Sequence, residues 1–122
     1  ADRPPGGVPL VRSERHPDLL LVHGRVGGRR VLMELDTGKS RTVIDPGVAE
    51  ALDLSEVDRG VEIGDLLLGP HRFRVASAKL VDLGGIDPDL EEPIAVGVGS
   101  DLLRRVVLVV DRDRESAWFL ER

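Results

Sequence analysis

The residues best suited to chemistry lie together in Val31-Leu32-Met33-Glu34-Leu35-Asp36-Thr37-Gly38-Lys39-Ser40, where an alternating apolar strand runs into a carboxylate followed by glycine. The plain role for Asp36 is a turn carboxylate that caps local N–H groups; the sharper one is general acid–base work. Gly38-Lys39-Ser40 imitates the end of a phosphate-binding loop, but that motif needs glycine where Met33 stands and a long helix where Pro46 intervenes. Gly97-Val98-Gly99 is followed by Leu102 where a dinucleotide loop needs glycine, and no βαβ unit surrounds it, so it reads as a tight strand crossing. Ser40 and Ser100 lack the Gly-x-Ser-x-Gly setting of a hydrolase nucleophile, and Asp101 is most simply a helix cap. The absence of cysteine excludes disulfides, thiolate zinc sites and a Cys nucleophile, while His16, His23 and His71 are too dispersed for a metal site and read as surface or strand residues.

The elements that must position Asp36 are short. Residues 1–9 hold three prolines and two glycines, and the first 18 residues read as an extended arm ahead of a single domain over 19–122. An apolar run from Leu19 to Val22, a Gly-rich turn, and Val31 to Leu35 predict a β-hairpin. Thr42-Val43-Ile44 predicts a short strand, and Pro46 to Leu54 a short helix with Asp45 as N-cap and Pro46 at its first position. Leu66-Leu67-Leu68 and Phe73-Arg74-Val75 flank a hairpin turn, and the acidic, turn-rich stretch from Val81 to Glu92 reads as a solvated loop. Ile94 to Gly99 predicts a buried strand, Ser100 to Arg105 a helical turn, and Val106 to Val110 and Ser116 to Leu120 two last strands. Many short strands with frequent turns indicate a mainly β barrel or sandwich.

Bulk properties narrow the function classes. At 122 residues the chain has room for one core, which must be aliphatic, because Phe73, Trp118 and Phe119 are the whole aromatic complement. A formal charge of −5, with scattered basic residues lacking aromatic neighbours, argues against a nucleic-acid partner. No apolar run approaches the roughly 18 residues of a membrane span. The start at Ala1-Asp2-Arg3 fits either a mature end after signal-peptide removal, and hence export, or a cut boundary, so localisation stays open.

Strand–Asp36-Thr37-Gly38, then Thr42-Val43-Ile44, a helix at Ala49-Glu50-Ala51-Leu52-Asp53-Leu54, and Val98-Gly99-Ser100-Asp101-Leu102-Leu103 form an ordered set. In that order the chain resembles the retropepsin-like aspartic proteases, the single-lobed relatives of pepsin, from about Leu19 to Phe119. The resemblance implies a closed β-barrel of the acid-protease fold with one or two short helices. It implies an aspartic endopeptidase acting on peptide or protein substrates without metal or organic cofactor. Asp36 would be catalytic, with Thr37 and Gly38 supporting the active-site loop. Because the chain has one Asp-Thr-Gly, the resemblance implies a homodimer whose second carboxylate is Asp36 of the partner subunit, with the termini as candidates for an intersubunit sheet.

Two departures from the family pattern bear on this expectation. Lys39 replaces the usual small residue after Asp-Thr-Gly. Its ammonium would oppose a shared-proton pair, point outward, or, with Ser40, bind substrate and select acidic side chains. Only Ser55 to Gly60 precede Val61, so the lid over the cleft is shortened unless Val61 to Gly69 forms it. The alternative function is a catalytically silent module of the same fold serving dimerisation or peptide binding.

Overall fold

The computed structural model describes residues 7–122. β1 (Val8–Val11) is followed by a hairpin of β2 (Leu21–Val26) and β3 (Arg29–Leu35). The hairpin strands run longer than the apolar pattern predicts, because Gly27 and Gly28, at φ 57° and 79°, close a two-residue turn. Positive φ at both central positions matches the right-handed twist of the strands, and glycine reaches it without a Cβ penalty.

β4 (Val43–Ile44) leads into α1 (Pro46–Ala51), whose start is as predicted: Asp45 is the N-cap and accepts from the Gly47 N–H. The helix ends before the predicted Leu54. Four further strands follow, β5 (Glu56–Val57), β6 (Gly60–Val61), β7 (Gly64–Leu68) and β8 (His71–Val75), and then β9 (Lys79–Leu80). β10 (Ile94–Val98), α2 (Ser100–Leu103), β11 (Val106–Asp111) and β12 (Ser116–Glu121) complete the chain.

The main sheet runs β11-β12-β1-β2-β3-β10-β4-β9, with β7 beside β2 and β8 beside β7; β5 and β6 form a separate pair. The fold is mainly β with two short helices, as expected, but hydrogen bonding does not close the sheet into a barrel. β2 joins its halves: Leu21 and Val22 pair with β1, and Val26 and Arg25 with β7. The main core collects Val22, Met33, Ile44, Leu66, Leu68, Val96, Val98 and Phe119 around this junction. Fully buried aliphatic side chains of this size each contribute roughly 1.5–3 kcal/mol.

The described part of the N-terminal arm and the acidic loop both pack against the rest of the domain. Within the stretch read as an extended arm, Val8 and Pro9 pair with β12 and then Leu10 and Val11 with β2. The missing N–H of Pro9 is tolerable there because the strand changes partner at the next residue. The termini read as candidates for an intersubunit sheet thus meet inside the protomer at Val8–Ala117 and Pro9–Ser116, and residues 1–6 of the arm lie outside the described residues.

The acidic loop from Val81 to Glu92 is also not simply solvated. Leu83 is buried in a second cluster with Leu21, Leu32, Val43 and Ile94. Asp87 accepts from Ser13 Oγ, Arg15 pairs with Asp89, and His23 bonds Glu92, so polar contacts hold the loop against the N-terminal segment and β2. Among the described residues no helix is long and apolar enough to cross a membrane.

Candidate active site

Asp36 stands at the end of β3, and the loop it begins is sewn onto the turn between β10 and α2. β10 runs between β3 and β4, parallel to the first, with Val98 opposite Leu35, and antiparallel to the second, with Gly97 opposite Val43. The Asp36 N–H donates to the Val98 carbonyl at 2.9 Å, and the Ser100 N–H donates to the Lys39 carbonyl at 2.7 Å. The two loops touch so closely that a Cβ on Gly99 would lie 2.9 Å from the Lys39 carbonyl oxygen and the Arg41 carbonyl carbon. Glycine is required there by space.

Thr42 and Asp101 lock the crossing. Thr42 is fully buried, so each of its polar groups needs a partner. Its hydroxyl donates to Asp101 Oδ1 at 2.8 Å and accepts from the Gly99 N–H at 3.2 Å, while its N–H donates to Asp101 Oδ2 at 3.1 Å. Asp101 was expected as a helix cap; instead Gly99 occupies the N-cap position of α2 without a side-chain cap bond, and the Asp101 carboxylate reaches across to Thr42. Fifty-nine residues separate the pair, and only the placement of Asp101 in the Gly-x-Asp segment pointed toward the site.

Inside the loop the Gly38 N–H donates to Asp36 Oδ1 at 2.9 Å, and the Lys39 N–H to the Asp36 carbonyl at 3.1 Å. One carboxylate oxygen is oriented by the turn, and the other has no protein donor among the described residues. Thr37, Gly38 and Ser40 are exposed at the apex, with Asp36 and Lys39 half-buried behind them. A side chain at position 38 would press on the carboxylate, since its Cβ would lie 3.1 Å from Asp36 Oδ1.

Lys39 turns back from the apex. Its Cδ and Cε pass within 3.9 and 3.7 Å of where a Gly97 Cβ would stand, so its stem lies along β10. Gly97 is the register partner of Glu34, two residues before Asp36. Burial pushes the Glu34 carboxyl above its ordinary pKa and the charge of Asp36 adds to this, while Lys39 acts the other way. The sequence reading did not single out Glu34 as a site residue.

Residues 61–69 do not form a lid: Leu66 and Leu68 of β7 are fully buried. The segment nearest to a lid is the β5–β6 hairpin, with Val57 exposed and Asp58-Arg59 at its turn. Arg41 of the active-site loop ties it down, donating to Ser77 Oγ at 2.8 Å and to the Arg59 carbonyl at 3.4 Å. Among the described residues no group of three or more His, Asp or Glu side chains is placed to hold a metal ion.

A carboxylate on a loop locked between crossed strands of a mainly β domain defines the class of single-lobed, retropepsin-like aspartic proteases. Residues 22–90 match the sequence model of a family described as aspartyl protease, and the chain belongs to that family. No curated protein sequence matches it. The crystal structure of a retropepsin-like aspartic protease from Rickettsia conorii is similar with a TM-score of 0.63 at 15% identity, covering 96% of this chain and 92% of that one. The retroviral protease-like domain of Ddi1 from Leishmania major is similar with a TM-score of 0.53 at 18% identity, covering 84% of this chain and 92% of that one. At these identities the likeness is one of fold.

Proposed function

We propose that the protein is a homodimeric aspartic endopeptidase in which Asp36 of each subunit supplies one carboxylate of the catalytic pair. The observation that carries this reading is Asp36 itself: one oxygen is oriented by the Gly38 N–H, the other lacks a protein donor among the described residues, and the Thr37-Gly38 apex is exposed for apposition to a second copy. Two carboxylates brought into contact cannot both ionise cheaply, so they share a proton and titrate as a unit. The ionised member takes a proton from a water that attacks the peptide carbonyl. The protonated member hydrogen-bonds the developing oxyanion. Gly38 permits the two apices to approach because it has no side chain there.

Lys39 is compatible with this mechanism because its stem is laid along β10 toward Glu34. Thr37 supports the apposed loops, and the exposed Ser40 beside them is available to substrate. The β5–β6 hairpin, pinned through Arg41, serves as a short lid that narrows access of water.

The test combines turnover and mass. The wild-type chain is expected to cleave a peptide library with an acid optimum and to sediment as a dimer at the concentrations where it is active. Asp36→Asn should lower kcat by at least about 10³-fold with an unchanged melting temperature, a loss on the scale of one essential acid–base group. Full cleavage by that variant, or activity from a strict monomer, rules the mechanism out. A dimer that binds peptides and cleaves none selects the silent module.

A further inference from the structure

Glu34 is the one buried carboxylate that the described structure leaves without a hydrogen bond. It is 8% exposed, and it forms no hydrogen bond or ion pair among the described residues, although the charge of Lys39 acts on it. Asp45, Asp87 and Asp101 each accept two or more hydrogen bonds. Its oxygens are not sealed from solvent, so a cationic group from outside the chain can reach them and supply the missing partner. Alternation along β3 puts Glu34 on the face that Asp36 continues, about 6.6 Å along the strand.

The charges around Glu34 decide what would sit there. Asp36 and Asp18 act on it with negative charge and Lys39 with positive charge. Three carboxylates therefore face one ammonium in each protomer, and the lysine is held along β10 rather than in an ion pair with Glu34. Arg41, the other cation of the loop, is committed to Ser77 and Arg59.

We propose that Glu34 is a specificity-determining residue that selects a lysine or arginine side chain next to the scissile bond of a peptide substrate. The assignment rests on the peptidase reading for its position in the cleft. In a two-fold dimer Glu34 and its copy lie on either side of the reacting carbonyl, so the preference extends to both flanking residues. It opposes the selection of acidic side chains that Lys39 alone would suggest.

The experiment uses the full chain and matched peptides that differ only in lysine, norleucine or glutamate beside the cleaved bond, together with hydroxyethylene isosteres of the same three. The wild type is expected to favour lysine over norleucine at least tenfold in kcat/KM and in isostere affinity. Glu34→Gln should bring both ratios close to one, with a native circular-dichroism spectrum as the control for folding. A lysine preference that survives Glu34→Gln overturns the assignment. So does a preference for glutamate that Lys39→Met abolishes. If the chain cleaves nothing yet binds the lysine isostere at least tenfold better than the norleucine one, the peptidase reading fails and the role of Glu34 stands. Equal binding of the two isosteres overturns that role whatever the activity.

Discussion

Glu34 and Asp45 are both carboxylates at the ends of β3 and β4, the strands that flank β10, and the protein treats them oppositely. Asp45 caps α1 through the Gly47 N–H and also accepts from the Leu83 and Gly84 N–H groups at 2.8 and 3.2 Å. Burial works to raise its pKa, but donations from Leu83, Gly84, Gly47 and Val48 outweigh it and hold the carboxyl below the ordinary range. Glu34 has no such donors, so burial and the charge of Asp36 push it the other way. The first carboxylate fastens α1 to the 81–93 loop. The second, raised by burial and by the charge of Asp36, lies two residues before the candidate catalytic Asp36. A charge kept against its own solvation is the pattern expected where function and stability conflict.

The largest effect on this contrast should come from the loop crossing that places Asp36. Asp101→Ala leaves the hydroxyl and N–H of buried Thr42 without acceptors, and the expected loss is about 2–3 kcal/mol in urea unfolding at pH 7. Peptide cleavage should fall with it even at temperatures where the variant is folded. A loss below about 0.5 kcal/mol would mean that the crossing is held by the backbone bonds alone.

Asp45→Ala should cost about 1–2 kcal/mol at pH 7, the range of a lost N-cap with further donors orphaned. Because the folded pKa of Asp45 lies below the unfolded one, its contribution is complete above the ordinary aspartate range and fades as pH falls through the folded value. The gap between wild type and variant should therefore close on acidification. A gap independent of pH would assign the effect to helix propensity.

Glu34→Gln should act with the opposite sign and the smallest size, a gain of up to about 1 kcal/mol at pH 7. Here the folded pKa lies above the unfolded one, so the penalty is complete above the folded value and vanishes below the unfolded value of about 4.3. Melting temperatures of the two proteins should converge as pH drops below that point. A variant less stable than wild type at pH 7 would break the contrast.

How much of this was legible beforehand depended on range. Gly27-Gly28, Asp45-Pro46 and the run into Asp36-Thr37-Gly38 act on their immediate neighbours, and each does in the structure what its local chemistry dictates. Leu83 and Glu34 were opaque for one shared reason. Leu32 of β3 is interior because the 81–93 loop sets Leu83 among Leu21, Leu32, Val43 and Ile94, and the burial of Glu34 on the same strand likewise depends on distant segments packed around β3. An acidic, proline-bearing stretch has the composition of solvent-exposed chain, and nothing in its pattern announces the one leucine that packs.

Local spacing determined the mainly β class and the capped helix, since turns, caps and strand alternation are interactions among residues a few positions apart, and the ordered segments along the chain made Asp36 the centre of the candidate site. Tertiary structure decided that Thr42 is satisfied by Asp101, that Lys39 lies along β10, and that Glu34 is buried without a donor. Each of those depends on β10 being inserted between β3 and β4, an adjacency of segments some sixty residues apart that only the folded chain brings into contact.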